Sequence, residues 1–150
     1  MRIADLLLEK QVAFETLVHP PAFTAHNRAK FLGMPGARVA KSILLVGPKG
    51  YFLAVLPATH QVDTEELARC LGGPVRLANA DELAQVFLDC EWGVVAPFGT
   101  LYGLPTFLDE SLPPETTIVL EVQNHAMAIR MRCSDFEQVE KPRRLRLARP

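Results

Sequence analysis

Apolar positions recur along this chain in short runs, and their spacing switches repeatedly between the helical and the strand period. Ile3, Leu6 and Leu7, with Gln11 and Val12 at the far end, predict a short amphipathic helix over residues 2–11. Phe14 to Val18 alternates weakly and reads as an edge strand that His19-Pro20-Pro21 must stop, because consecutive prolines continue neither helix nor ladder. Thr24 is placed as an N-cap for a helix through Phe31-Leu32, and Gly33 as its C′ residue. Val39–Val46 and Tyr51–Leu56 read as two strands of a hairpin around Gly47-Pro48-Lys49-Gly50. Asp63-Thr-Glu-Glu66 and Asn79-Ala-Asp-Glu82 are capping boxes that open two helices, with a short strand, Val75–Leu77, between them. Gly93–Pro97 reads as the end of a strand, Thr106–Asp109 as the next, and Thr116–Val122 and Ala126–Arg130 as two more. Ser134 opens a last helix. The pattern predicts an α+β fold: a mixed, barrel-like sheet of about seven strands flanked by short helices, in a single domain over 1–150.

Composition narrows the class. A net charge of -1 excludes a bulk polyanion-binding surface, so any nucleic-acid contact depends on a local patch. Three cysteines, Cys70, Cys90 and Cys133, without C-x-x-C spacing, argue for a reducing compartment and against a disulfide framework. Asp5 and Glu9 interrupt the first apolar stretch, which is therefore not read as a signal peptide. No run is long and uncharged enough to span a membrane, and a cytoplasmic location is expected.

Chemistry concentrates in two places. The stretch Glu91–Asp109 holds three glycines and two prolines; it is either a plain turn or a pocket wall built from main chain. Lys41 lies in V-A-K-S-I-L-L-V, sharing a face with Ile43 and Leu45. A lysine there either reaches solvent from an edge strand or points its ammonium into a pocket, where it would bind an anionic or carbonyl group. His19, His26, His60 and His125 lack metal-ligand spacing, so no metal and no cofactor are predicted. Only Ser42, Ser111 and Ser134 are serines, and none sits in a G-x-S-x-G elbow. The segment 141–150 carries five positive charges and no acid. It reads as a solvated tail, in which Arg143, Arg144, Arg146 and Arg149 are the candidates for phosphate contact.

Several segments together resemble the YbaK/ProX family of free-standing aminoacyl-tRNA deacylases and prolyl-tRNA synthetase editing domains. They are H-P-P-A-F-T-A, V-A-K-S-I-L-L-V, A-V-L-P-A-T-H-Q-V-D, F-L-D-C-E-W-G-V-V-A-P-F-G and G-L-P-T-F-L-D, in register over about residues 14–140. The resemblance implies hydrolysis of the ester joining a wrong amino acid to the 3′-terminal adenosine of tRNA. Misacylated tRNA is then the partner, with an aminoacyl-tRNA synthetase as a further one. It implies that Lys41 is the residue most tied to activity and that the G-x-x-x-P loop, Gly93–Pro97, binds the aminoacyl end. Backbone amides near Gly93, Phe98 and Gly99 are expected to polarise the ester, while Thr24, Ala96, Pro97, Asn124 and His125 line the substrate pocket. Two departures touch that pocket: Ala96 stands where Ser or Pro is expected, and Gln123-Asn124-His125 replaces a segment often rich in glycine. They leave open a non-catalytic protein of the same fold that binds an aminoacyl-adenosine, a tRNA or a synthetase. Hydrolysis by a conventional triad has only scattered Ser, His and Asp behind it.

Overall fold

The computed structural model describes residues 2–150. Its elements run α1 (Arg2–Glu9), β1 (Glu15–Val18), α2 (Ala25–Leu32), β2 (Ala40–Gly47), β3 (Gly50–Pro57), β4 (Gln61–Val62), α3 (Thr64–Leu71), β5 (Arg76–Leu77) and α4 (Ala80–Val86). They continue with β6 (Thr106–Asp109), β7 (Thr117–Glu121), β8 (Met127–Arg132), α5 (Cys133–Glu140), β9 (Arg143–Leu145) and β10 (Ala148–Arg149). Short 3-10 turns cover Gly36–Arg38 and Gly99–Tyr102.

The strands form three sheets, ordered β5-β2-β3-β6-β9, β1-β8-β7 and β10-β4. This replaces the barrel-like sheet expected from the sequence. The large and the three-stranded sheets meet through the isolated bridge Val39–Val119, so no single ladder runs round the molecule. In the large sheet β2 and β3 form the antiparallel hairpin, and β6 and β9 add in parallel. The continuous apolar run of β3 has the reason usual for a strand covered on both faces. Leu53 and Val55 join the main core with Ile3, Leu7, Phe98 and Phe136, while Phe52, Ala54 and Leu56 pack with Leu67 of α3 and Leu147.

Capping largely follows the local sequence. The Thr24 hydroxyl accepts the Asn27 N–H at 3.1 Å, and Gly33 ends α2 at φ 63°. Asn79 and Glu82 exchange both bonds of a capping box. Asp63 makes only half of one: its side chain caps Glu66, but its own N–H donates to the Leu147 carbonyl. The distant segment between β9 and β10 has taken the group the box would use.

Three further expectations change. The first helix ends at Glu9, and Gln11 turns the chain at φ 58°. Gly93–Pro97 is no strand, because its contacts run to side chains and turns instead of to a neighbouring ladder. The basic tail is not a free terminus but forms β9 and β10, with Lys141, Arg143, Arg146 and Arg149 still exposed. Leu147 is fully buried, and Asp109 Oδ1 accepts the N–H groups of Leu147 and Ala148 at 3.0 and 3.1 Å.

Candidate functional site

Lys41 lies near the start of β2, opposite Leu56 of β3. On its other side β5 pairs only with Leu45 and Val46, so the outer edge of β2 from Lys41 to Ile43 has no strand beside it. A cleft of about 470 Å³ opens there, lined by Lys41, Ser42, Leu44, Gln61, Leu83 and Val95 among others. Lys41 is half-buried, and desolvation pulls its ammonium below its ordinary pKa. None of the salt bridges or side-chain hydrogen bonds among the described residues involves it. Ser42 Oγ is also buried without a partner. The cleft thus presents a positive charge and a hydroxyl against apolar walls, and its lining contains no carboxylate or imidazole. Such a site binds and polarises an anionic or carbonyl oxygen more readily than it removes a proton.

Val95 belongs to the G-x-x-x-P loop, so the structure brings Lys41 and that loop to one cleft. Three contacts from the β7–β8 turn set the loop. The Glu91 N–H donates to the Gln123 carbonyl at 2.7 Å, His125 Nε2 lies 2.9 Å from the Trp92 carbonyl, and the His125 N–H donates to the Glu91 carboxylate at 3.3 Å. A carbonyl only accepts, so Nε2 of His125 donates to it, and Nδ1 of the same ring is buried without a partner. Asn124 holds the same turn by accepting the Ala126 N–H at 2.9 Å. Gly93 takes φ 87°, a conformation that a side chain disfavours, although a Cβ there would meet nothing nearer than 3.8 Å.

Glu121 is held by Arg28, at 3.2 Å, and both side chains are largely buried. Burial pushes the Glu121 carboxyl up to about 7, against the opposing pull of Arg28. The sequence reading missed this pair. Its one signal was an acid closing the apolar strand T-T-I-V-L-E, and nothing in A-H-N-R-A-K singled out Arg28.

The rest of the loop is organised by another carboxylate. Glu140, 8% exposed, accepts the Thr100 N–H at 3.1 Å and the hydroxyls of Thr100 and Thr106 at 2.6 and 2.7 Å. Phe98 is fully buried and packs edge-on against Phe136, with ring centroids 5.2 Å apart. A Cβ on Gly99 would fall 2.5 Å from the Leu104 carbonyl oxygen. The structure therefore places Phe98 and Gly99 in the core.

The other sequence-chosen residues spread further. Ala96 and Pro97 are buried behind the loop and do not line the cleft. Thr24 caps α2, beside the exposed Phe23. Arg144 donates to Glu137 and, at 2.6 Å, to the Leu112 carbonyl, so it serves the fold. Arg143 and Arg146 are exposed. Among the described residues no three His, Cys, Asp or Glu side chains are grouped to hold a metal ion, and no helix is long and apolar enough to cross a membrane.

This arrangement has known counterparts. The chain covers 99% of itself and 100% of the hypothetical protein APE2540 at TM-score 0.90 and 15% identity. It covers 99% of itself and 96% of a candidate trans-editing enzyme for prolyl tRNA synthetase at TM-score 0.86 and 22% identity. At these identities the likeness is one of fold. The proline–tRNA ligase of Fervidobacterium nodosum is 29% identical over 80 residues, 53% of this chain and 14% of that protein. The matched segment is thus a small part of that relative's length. The pattern of the aminoacyl-tRNA editing domain spans residues 19–139, from the turn before Thr24 to the end of α5 and through both Lys41 and the loop at Gly93. The chain belongs to the aminoacyl-tRNA editing domain family.

Proposed function

We propose that this protein is a trans-acting deacylase that cleaves the ester between a wrongly attached amino acid and the 3′-terminal adenosine of tRNA. The observation that carries the proposal is the unpartnered Lys41 ammonium, half-buried in a cleft that Val95 of the G-x-x-x-P loop also lines. An aminoacyl ester is already activated, so its hydrolysis asks for orientation and for charge near the developing oxyanion more than for a strong base. Lys41 supplies that charge, or holds the terminal phosphate or ribose. Leu44, Leu83 and Val95 offer an apolar wall to a small side chain, and Ser42 Oγ offers a hydrogen bond to the substrate's polar atoms. Gln123, Asn124 and His125 fix the loop's approach, which lets this segment serve the site without the glycines expected there.

The test is a deacylation time course on Ala-, Cys- and Ser-charged tRNAs, both cognate and mischarged onto proline tRNA, with the wild type and Lys41→Ala. We expect rapid loss of one ester and a fall of roughly 100-fold or more in the variant, the scale of losing one oxyanion-stabilising group. No ester lost above the buffer rate would replace hydrolysis with binding alone.

A further inference from the structure

Five of the eight phenylalanines are buried, yet Phe23 is 73% and the sole tryptophan, Trp92, 68% exposed. The two bracket one side chain. The Phe23 ring lies 4.7 Å from that of His125, and His125 Nε2 holds the Trp92 carbonyl at 2.9 Å. Trp92 also walls a groove of about 210 Å³ with Phe87, Leu88, Gly93 and Val94, and Leu88 is 83% exposed. This groove and the Lys41 cleft share Leu83 as a common wall, and Gly93 and Val94 line the groove while Val95 lines the cleft. Two exposed aromatic side chains gathered on one histidine, beside an apolar groove, offer a surface for a flat apolar ligand.

We infer that Phe23 and Trp92 form a stacking platform for the unpaired bases at the 3′ end of tRNA; the inference rests on the editing reading of the Lys41 cleft. Single-stranded RNA is gripped by aromatic faces because every base offers a π surface, whatever its sequence. With an ester at Lys41, the terminal bases must leave the cleft across its rim. The loop carrying Trp92 is that rim. The modest net charge of -1 fits a contact in which stacking, more than phosphate attraction, provides the hold.

Because Trp92 is the only tryptophan, its emission reports on the platform directly. Titrating the full chain with a short uncharged single-stranded RNA ending in C-C-A is expected to quench that emission saturably. An oligomer of the same length with abasic sugars at its last three positions should quench it little. By anisotropy of the labelled RNA, Phe23→Ala and Trp92→Leu should each raise Kd roughly 5- to 100-fold, the range for loss of one stacked base. Both residues are exposed, so the variants should unfold at the wild-type urea midpoint, which the same samples can report. Absence of quenching, equal quenching by the abasic oligomer, or unchanged Kd in both variants would overturn the inference. The assay uses uncharged RNA, so it stands apart from the deacylation test. A platform without ester cleavage would sink the catalytic reading alone, and cleavage without a platform would sink this one.

Discussion

The loop between α4 and β6 has two halves that look alike in sequence and serve opposite ends. Glu91–Pro97 and Phe98–Pro105 are both rich in glycine and proline, and the second is pinned by one buried glutamate. In the first half the chain stays at the surface around Trp92 and Gly93, and Val95 lines the same cleft as Lys41. In the second half Glu140 gathers the Thr100 amide with two hydroxyls, and Phe98 goes into the core. A glycine serves conformation in one half and close approach in the other. Composition does not separate a site from a scaffold; what the amides are bonded to does.

The comparison breaks most visibly at that carboxylate. Glu140→Ala leaves two hydroxyls and one amide short of an acceptor, and should cost about 3 kcal/mol or more of unfolding free energy by urea titration. Any deacylation left should scale with the folded fraction. A change in rate per folded molecule at unchanged stability would mean that this half belongs to the site after all.

The glycines sharpen the same contrast. Gly99→Ala forces a Cβ to 2.5 Å from the Leu104 carbonyl oxygen and Thr106 Oγ1, so about 2–3 kcal/mol should be lost. Gly93→Ala meets no atom closer than 3.8 Å and carries only the strain of φ 87°, about 1 kcal/mol. Its effect should instead fall on turnover, because the loop shifts beside the cleft. Thermal melts run alongside deacylation rates would show the two losses trading places between the variants.

A pH series addresses the carboxylate held by Arg28. Burial raises the Glu121 carboxyl from 4.5 to about 7, so the native state holds that proton more tightly than the unfolded chain. Its contribution to stability is full below about 4.5 and is lost as pH rises to about 7, so the melting temperature should decline across that window. Glu140, also raised by burial, adds a decline of the same sign. Glu121→Gln should therefore flatten the slope without abolishing it, and an unchanged slope would remove Glu121 as its source.

The smallest effect expected separates the two kinds of arginine in the C-terminal strands. Arg144→Ala removes bonds to Glu137 and to the Leu112 carbonyl and should cost about 1–2 kcal/mol. Arg146→Ala, at an exposed position, should stay within about 0.5 kcal/mol in the same urea series.

What the sequence determined by itself is local. The Thr24, Asp63 and Asn79 caps, the hairpin at Gly47–Gly50 and the edge strand before His19 all depend on groups a few residues apart, where backbone preference and side-chain capping act directly. The pairing of Lys41 with the G-x-x-x-P loop was legible too, though only through resemblance across several segments. Tertiary structure decided the rest. A tail with five positive charges became two strands because buried Leu147 and the Asp109 carboxylate, 38 residues earlier, gave it partners. Glu140 finds Thr100 across 40 residues and Arg28 finds Glu121 across 93. No periodicity or propensity encodes such a meeting. Each follows from which strands lie side by side, and desolvation then settles which polar groups must find one another.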